Sequence, residues 1–379
     1  MPGKKVLVGM SGGVDSSVSA ALLVREGYEV VGGFIKNWSD SKDLWTGECA
    51  WRGERRDAMR VAAKLGIPLL TFDFEEAYRE RVVSELFRGY GAGQTPNPDV
   101  LCNEAIKFGL FLDEAKRLGF DFVATGHYAR VQHEADVSHL LRGLDPNKDQ
   151  SYFLYRVPQE ALRMTLFPVG ELLKPDVRKI AEEMELPVAQ KPDSQGICFI
   201  GKLDMEEFLR KKIPSVPGEI VDENGNVLGT HSGLDAYTIG QREGLLVSLG
   251  GEPWFVAGKD REKNRLMIVQ GADNPKLYRS SCSAGDLRWT RGEFPELPME
   301  VEVQVRYRQE PVKATVGIGR GAVAAPSDRS DEPGRGNPAP TEIVLSFHSP
   351  VKAIAPGQSA VLYVGDECLG GGVILEENG

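Results

Sequence analysis

The chain has 379 residues, of which 41% are hydrophobic and 26% charged, and its net charge is −10. This length predicts two or three domains, and no apolar run approaches the roughly 18 residues of a membrane span. The acidic balance argues against a general nucleic-acid binder, although a local basic face remains open. The N-terminus has no signal-peptide layout, and five scattered cysteines do not form a disulfide framework. We therefore expect a cytoplasmic protein in a reducing compartment.

The first stretch of interest is a small polar loop between a strand and a helix. The run from Lys4 to Met10 is apolar and β-branched, which predicts a buried strand, and SSVSAALLVREG has helical spacing. The intervening SGGVDS has two glycines, which let the main chain approach phosphate oxygens, at the start of a helix that favours an anion. No lysine precedes Ser16, so this is not a Walker A loop. The alternative is an ordinary Gly-Ser turn, but the stretch resembles the SGGxDS loop of the ATP pyrophosphatase (PP-loop) superfamily.

The first 200 residues or so alternate strand and helix, which predicts a parallel α/β sheet. Further strands are expected at 29–35 and 67–74, and residues 120–129 should contain a fourth strand and the loop at its carboxyl end. Ligands bind at the carboxyl ends of such strands. The SGGVDS loop, the segment 34–37 and the turn at Gly126 and His127 should therefore meet at one crevice.

Two cysteines lie close to polar loops. In TPNPDVLCN the prolines hold residues 95–98 extended, and a helix is predicted to begin near Asp99. Cys102 lies three residues on, facing the same way, and a helix N-terminus lowers a thiol pKa. A reactive Cys102 competes with a buried, inert one. Cys198 follows the loop DSQGI, and two such thiols suggest sulfur transfer through a persulfide and a disulfide.

The second half of the chain is predicted to be rich in β-structure. A hairpin-like Asn224-Gly225 lies in a β-rich stretch, and residues 299–309 alternate apolar and polar side chains. Together with later alternating runs they predict an antiparallel barrel. We expect domains at 1–203, 204–277 and 278–379, the last with a mobile surface loop at 317–340.

Several longer motifs resemble those of one family over nearly the whole chain. They are TPNPDVLCN, ATGHYAR, LLRGLDPNKDQSYFLY, DSQGICFIG, YTIGQREGL, RYRQEPV and PGQSAVLYVGDECLGGGVI. By these motifs the chain is identified as a member of the tRNA-specific 2-thiouridylase family (MnmA/TrmU). The implied fold is a PP-loop α/β domain like that of the adenine nucleotide α-hydrolases, then a small β-rich middle domain and a C-terminal antiparallel β-barrel.

The resemblance also assigns roles to residues. Cys102 would be the nucleophile and Cys198 the persulfide carrier, with Asp99 as a catalytic acid or base. The nucleotide would be bound by Gly9, Met10, Ser11, Gly12, Gly13, Val14, Asp15, Ser16, Ile35 (usually Met in the family) and Gly126. The tRNA would be contacted by Asn97, Pro98, Asp99, His127, Lys148, Asp149, Gln150, Arg306, Tyr307 and Gln358.

The implied reaction makes 2-thiouridine at the wobble position, from ATP with Mg²⁺, and yields AMP and pyrophosphate. The tRNAs for Lys, Glu and Gln are the implied acceptors, and a cysteine desulfurase or a relay protein the implied sulfur donor. No resident metal ion is expected. An iron–sulfur cluster on Asp99, Cys102 and Cys198 is a second possibility, but clusters are normally held by Cys thiolates and this donor set is thin.

Three alternatives stay open from the residues. Asp99 could act as a general acid or base, or merely cap a helix. The chain could be a PP-loop amidating synthetase, which would need no cysteine pair. It could also be a tRNA-binding module with an inactive loop, which would bind tRNA without releasing pyrophosphate. We expect a monomer.

Overall fold

The computed structural model describes residues 3–39, 49–193, 205–210, 212–245, 247, 250–319 and 341–376. Cys198 and most of the predicted loop 317–340 lie outside these ranges. Gly317 and Ile318 do not belong to a loop, because they end a strand whose neighbour pairs with them. No helix within the described ranges has the length and apolarity to cross a membrane.

The N-terminal part is a parallel sheet of five strands flanked by helices. Its strands lie in the order β3-β2-β1-β4-β7, so the first strand is central. The strands are β1 Lys5–Gly9, β2 Glu29–Lys36, β3 Leu69–Asp73, β4 Phe122–Ala124 and β7 Thr165–Leu166. The helices are α1 Val14–Arg25, α2 Ala50–Leu65, α3 Glu75–Tyr78, α4 Ser84–Gly91, α5 Pro98–Cys102, α6 Phe111–Arg117, α7 Gln159–Arg163 and α8 Lys174–Glu183.

Two of these helical stretches contain a widened turn. A π-helical segment, Arg79–Val83, joins α3 to α4, and a second, Asn103–Leu110, joins α5 to α6. Segments of π-helix are rare in proteins, and those that occur often lie at functional sites. The second one follows directly on α5, the helix that carries Asp99 and Cys102.

The middle part is a small sheet of four strands, in the order β10-β11-β8-β9. Its elements are α9 Met205–Arg210, β8 Gly218–Val221, β9 Val227–His231, β10 Trp254–Asp260 and β11 Arg265–Gln270. The turn at Asn224-Gly225 joins β8 and β9, as the sequence predicted. Two of its cations reach the N-terminal part: Lys259 donates to the Gly93 carbonyl at 3.3 Å and Arg261 to the Gly91 carbonyl at 2.9 Å.

The C-terminal part is an antiparallel barrel, closed by pairing of β12 with β17. Its strands are β12 Tyr278–Trp289, β13 Met299–Gln304, β14 Val312–Ile318, β15 Glu342–Lys352, β16 Ser359–Val364 and β17 Glu367–Ile374. Val301 and Val303 of β13 are buried in the core that this sheet encloses. The strand ends at Gln304, five residues earlier than predicted. The three-part fold class predicted from the sequence is confirmed by these sheets and by the family matches reported below.

One hairpin crosses from the first part to the last. The strands β5 Ala129–Glu134 and β6 Val137–Arg142 follow the predicted fourth strand, yet they extend the barrel sheet through β17. Arg130 also donates to Asp366 at 2.7 Å. This shared sheet fixes the barrel beside the crevice at the end of the parallel strands.

Candidate functional site

A cavity of about 470 Å³ opens at the carboxyl ends of β1, β2 and β4. The three segments that the sequence placed together all contribute to it: the SGGVDS loop, Ile35 and the turn at Gly126 and His127. Phe34 and Asn37 are buried elsewhere. Of the residues predicted to bind nucleotide, those that line this cavity are Gly9, Met10, Ser11, Gly13, Val14, Asp15, Ser16, Ile35 and Gly126.

The loop leaves the first amides of α1 available to a ligand. Helix α1 begins at Val14 after an N-cap glycine, and no side chain caps it. The serine hydroxyls instead hold the loop itself: Ser17 donates to the Gly13 carbonyl at 2.7 Å, and the Ser11 amide donates to the Ser16 hydroxyl at 3.3 Å. The uncapped amides and the helix dipole therefore make an anion site at the cavity.

At two positions only glycine fits, because another part of the backbone lies too close to leave room for a Cβ atom. Gly12, which does not line the cavity, has a φ of +74°, and a Cβ there would lie 2.3 Å from the Glu54 carbonyl oxygen. A Cβ on Gly126 would lie 2.6 Å from the amide nitrogen of Ser16. Gly126 thus lets the fourth strand's loop pack directly on the start of α1.

Asp15 is held by two donors from distant parts of the chain. The Tyr128 hydroxyl donates to Asp15 Oδ1 at 2.8 Å, and Lys174 Nζ at 2.6 Å. Burial, and then the Asp15 charge, raise the pKa of Tyr128 above its ordinary range, so the phenol stays a donor. Because both donors bind Oδ1, they hold the Asp15 carboxylate in place beside the anion site.

A second carboxylate, Asp193, gathers three cations at the cavity wall. Lys148, Lys174 and Arg178 approach it at 2.7, 2.8 and 2.6 Å. Burial alone would raise the pKa of Asp193, but hydrogen bonds from Lys148 and Lys174 outweigh it and hold that pKa below its usual range. Lys174 therefore links the SGGVDS loop to the last described residue before the segment that carries Cys198.

Helix α5 is capped by Asn97. The Asn97 side chain accepts hydrogen bonds from the amides of Asp99 and Val100, and Pro98 occupies the first helical turn. The N-cap position of α5 therefore belongs to Asn97, and Asp99, two residues on, lines the cavity. Its role as a general acid or base stays a prediction.

Cys102 is buried among apolar side chains three residues further along. It is 0% exposed, belongs to the core cluster around Phe111, and does not line the cavity. The sequence predicted that Asp99 and Cys102 face the same way; the structure gives only Asp99 to the cavity. Chemistry at the Cys102 sulfur therefore requires its surroundings to open.

His127 is a buried, neutral group beside a lysine. Its Nδ1 lies 2.7 Å from the Thr125 hydroxyl, and its Nε2 lies 3.3 Å from Lys107 Nζ. Burial, and then the Lys107 charge, hold the pKa of His127 well below its ordinary value. Because Nε2 accepts from Lys107, Nδ1 carries the proton and donates to Thr125.

The predicted tRNA contacts divide into cavity-lining and structural residues. Lys148, Gln150 and Tyr307 line the cavity, and the Tyr307 ring lies 4.3 Å from that of Phe153. Asp149 accepts bonds from the Gly143 and Ser151 amides and from the Ser151 hydroxyl. Its carboxylate therefore shapes its own loop, and its contact with tRNA stays a prediction.

Two further predicted contacts join the three parts of the fold. Gln358 donates to the Thr95 carbonyl at 2.7 Å, so the barrel supports the segment that precedes α5. Arg306 donates to the Ile239 carbonyl of the middle part at 3.3 Å. Neither lines the cavity.

The sequence interpretation missed several polar residues at this site. Lys107, Glu54, Tyr128 and Asp193 line the cavity, and Lys174 supports it from behind. Two of them lie within quoted motifs, Tyr128 in ATGHYAR and Asp193 in DSQGICFIG, and Lys107 lies shortly after TPNPDVLCN. Nothing in the local pattern of Glu54 or Lys174 indicates that α2 and α8 bring them here.

No group of three or more His, Cys, Asp or Glu side chains in the described ranges could hold a metal ion. For Mg²⁺ the fit is different, because this ion is usually bound by one or two carboxylates together with substrate phosphates. Asp15 and Glu54 line the cavity beside the anion site. That donor set fits a nucleotide-bound Mg²⁺.

Three family models match the chain in order. They are described as a tRNA methyl transferase HUP domain (residues 4–202), a tRNA methyl transferase PRC-barrel domain (206–270) and an aminomethyltransferase β-barrel domain (331–374). The chain is 46% identical to the tRNA-specific 2-thiouridylase of Lacticaseibacillus paracasei over 98% of its own length and 94% of the relative's. It is 47% identical to that of Bacillus velezensis over the same two shares.

The chain belongs to the tRNA-specific 2-thiouridylase family. The family predicted from the motifs is thereby confirmed, with relatives that match almost from end to end. Among solved structures, it is similar to the U34-tRNA thiolase NcsA of Methanococcus maripaludis, with 17% identity, a TM-score of 0.34, and coverage of 56% of this chain and 65% of the other. That likeness is too distant to bear on the site.

Proposed function

We propose that the protein converts the wobble uridine of tRNA to 2-thiouridine in the cytoplasm, at the expense of ATP. The observation that carries this proposal is the cavity, in which a phosphate-binding loop, the Asp99 carboxylate and an aromatic rim meet. The family supplies the sulfur chemistry. The base must leave the anticodon stack to enter, and Phe153 with Tyr307 offers it aromatic surface.

In the first step the uridine O2 attacks the α-phosphorus of ATP. A new O–P bond forms, the bond to the β-phosphate oxygen breaks, and pyrophosphate leaves with the electron pair. The amides at the start of α1 stabilise the charge on the phosphates. Asp99 takes the N3 proton of the uridine as O2 becomes substituted. Mg²⁺, when bound, neutralises phosphate charge.

In the second step sulfur replaces the activated oxygen. The terminal sulfur of a persulfide on Cys198, which lies outside the described residues, attacks C2. The Cys102 thiolate then attacks the inner sulfur, so that the S–S bond breaks and a Cys102–Cys198 disulfide forms. AMP leaves from C2, and protonated Asp99 returns the proton to N3, which gives the 2-thiouridine. A dithiol reductant must then reduce the disulfide before the next cycle.

The partners that the family resemblance implies, and the route by which sulfur is delivered, are part of the same proposal. A desulfurase or relay protein recharges Cys198, and the tRNAs for Lys, Glu and Gln are the acceptors. We favour the persulfide over an iron–sulfur cluster, because two thiols and one carboxylate are a thin ligand set for a cluster. The domain boundaries at 203 and 277 and the tRNA roles of His127, Lys148, Gln150, Arg306 and Tyr307 belong to the same proposal.

The test is to incubate the protein with unmodified tRNA, ATP, Mg²⁺ and a persulfide donor, then digest the tRNA and measure 2-thiouridine by mass spectrometry. We expect the product with the unaltered protein and none with Cys198→Ala. Cys368→Ala is the matched control, since Cys368 is a buried barrel residue. Product formation by Cys198→Ala, or tRNA binding without any pyrophosphate release from the unaltered protein, would overturn the proposal.

A further inference from the structure

The second π-helical segment brings an additional cation to the cavity. Lys107 lies eight residues after Asp99, and both line the same cavity. In a regular α-helix, residues eight apart differ by roughly 80° around the axis. The wider turn of Asn103–Leu110 rotates each residue by less, so it swings Lys107 back toward the side that Asp99 faces. The unusual helix geometry therefore has a local consequence at the site.

His127 holds this lysine from behind. Lys107 Nζ lies 3.3 Å from Nε2 of the buried ring, which is itself fixed by Thr125 and packs near Phe108 and Phe167. A neutral imidazole that accepts a hydrogen bond orients an ammonium group without cancelling its charge.

We propose that Lys107 is a catalytic residue, which stabilises the negative charge that develops on the α-phosphoryl oxygens while uridine is adenylated, and that His127 is its positioning residue. This inference rests on the proposed function. As O2 bonds to phosphorus and the bond to pyrophosphate breaks, charge builds up between the anion site of α1 and Asp99. Lys107 lines the cavity that both of these groups share. A preorganised donor at such a place acts most strongly in the transition state.

The experiment compares Lys107→Met and Lys107→Arg with the unaltered protein. The readouts are the equilibrium Kd for ATP and the single-turnover rate of pyrophosphate release with tRNA bound. For Lys107→Met we expect a rate about 100- to 1,000-fold lower, the usual loss for one such donor, and an ATP Kd within about threefold. Lys107→Arg should recover at least about tenfold of the rate, because the charge is kept. Lys116→Met, on α6 and paired with Glu160 at the surface, is the matched control and should be unchanged.

The outcomes separate the inference from the function. A Lys107→Met rate within about threefold of the unaltered protein overturns the catalytic role, and so does an ATP Kd that rises as much as the rate falls, since that is ground-state binding. If Lys107→Met does not fold, Lys107→Gln takes its place under the same criteria. Pyrophosphate release without 2-thiouridine from the unaltered protein overturns the proposed thiolation but leaves the Lys107 result readable. No pyrophosphate release at all overturns both.

Discussion

The two halves of the cavity are built in different ways. The anion site is local: residues 9–17 form it, and its hydrogen bonds join serines and glycines within five positions of one another. The other half of the lining is assembled from distant segments, because Asp99, Lys148 and Tyr307 come from three separate stretches of the chain. A local site is sensitive to its own backbone geometry, whereas an assembled wall depends on the contacts between the parts of the fold.

The strongest way to break the local half is Gly126→Val. Its Cβ would lie 2.6 Å from the Ser16 amide nitrogen, so the start of α1 must move and several phosphate donors are misplaced together. We expect pyrophosphate release to fall about 1,000-fold, at the upper end of the loss for one oxyanion donor. Single-turnover kinetics with ATP and tRNA measures this.

Gly53→Ala serves as its control, because nothing lies within 4 Å of a Cβ at that helical position. It should keep the rate and be slightly more stable. A Gly126→Val protein that releases pyrophosphate at the normal rate would show that the loop tolerates displacement.

The assembled half is tested by Arg156→Met. Arg156 is buried and bonds Glu104 of the second π-helical segment at 2.6 Å and Asp286 of the barrel at 2.8 Å. Its loss leaves both carboxylates with only Arg288, at 3.5 Å from Glu104 and 3.1 Å from Asp286. We therefore expect the free energy of unfolding to fall by about 3 kcal/mol, the low end of the range for breaking a buried ion pair. Urea unfolding followed by circular dichroism gives the value.

Arg117→Met removes an exposed pair with Glu114 and should leave the unfolding free energy unchanged within the error of the measurement. Equal effects of the two variants would mean that Arg156 does not join the parts.

The contact between Lys259 of the middle part and the Gly93 carbonyl can be tested through the pH dependence of stability. Burial lowers the pKa of Lys259 from 10.5 to about 8. Between these two values the unfolded chain binds more protons than the folded one, so folding stability rises with pH; below pH 8 the full penalty is present.

We therefore expect the stability of the unaltered protein, measured against Lys259→Met, to increase by about 2 kcal/mol from pH 7.5 to 10. Urea titrations at both pH values measure it. Lys263→Met, an exposed neighbour paired with Asp260, should show no such trend. A constant difference for Lys259→Met would contradict the lowered pKa.

The smallest expected effect concerns the N-cap of α5. Asn97→Ala removes the acceptor for the Asp99 and Val100 amides and should cost about 1 kcal/mol of unfolding free energy. Asn97→Asp keeps an acceptor there and should restore most of it. If both variants lose the same stability, Asn97 does not act through the cap.

The sequence by itself determined the elements whose pattern is local. The apolar run before SGGVDS predicted β1, and the alternation of residues 299–304 predicted a barrel strand. These elements can be predicted without the family motifs, because hydrophobic periodicity and turn chemistry act within a few residues.

Only the tertiary structure decided which distant groups share one cavity. The wider turn at Asn103–Leu110, the pairing of Lys174 with Asp15, and the hairpin that joins β17 have no local signal, because each results from packing between elements far apart in the chain. The same holds for Cys102, whose spacing from Asp99 suggested a shared face, whereas the core around Phe111 buries its sulfur. Side-chain spacing fixes direction only in a regular helix, and packing determines which direction leads to a cavity and which to the core.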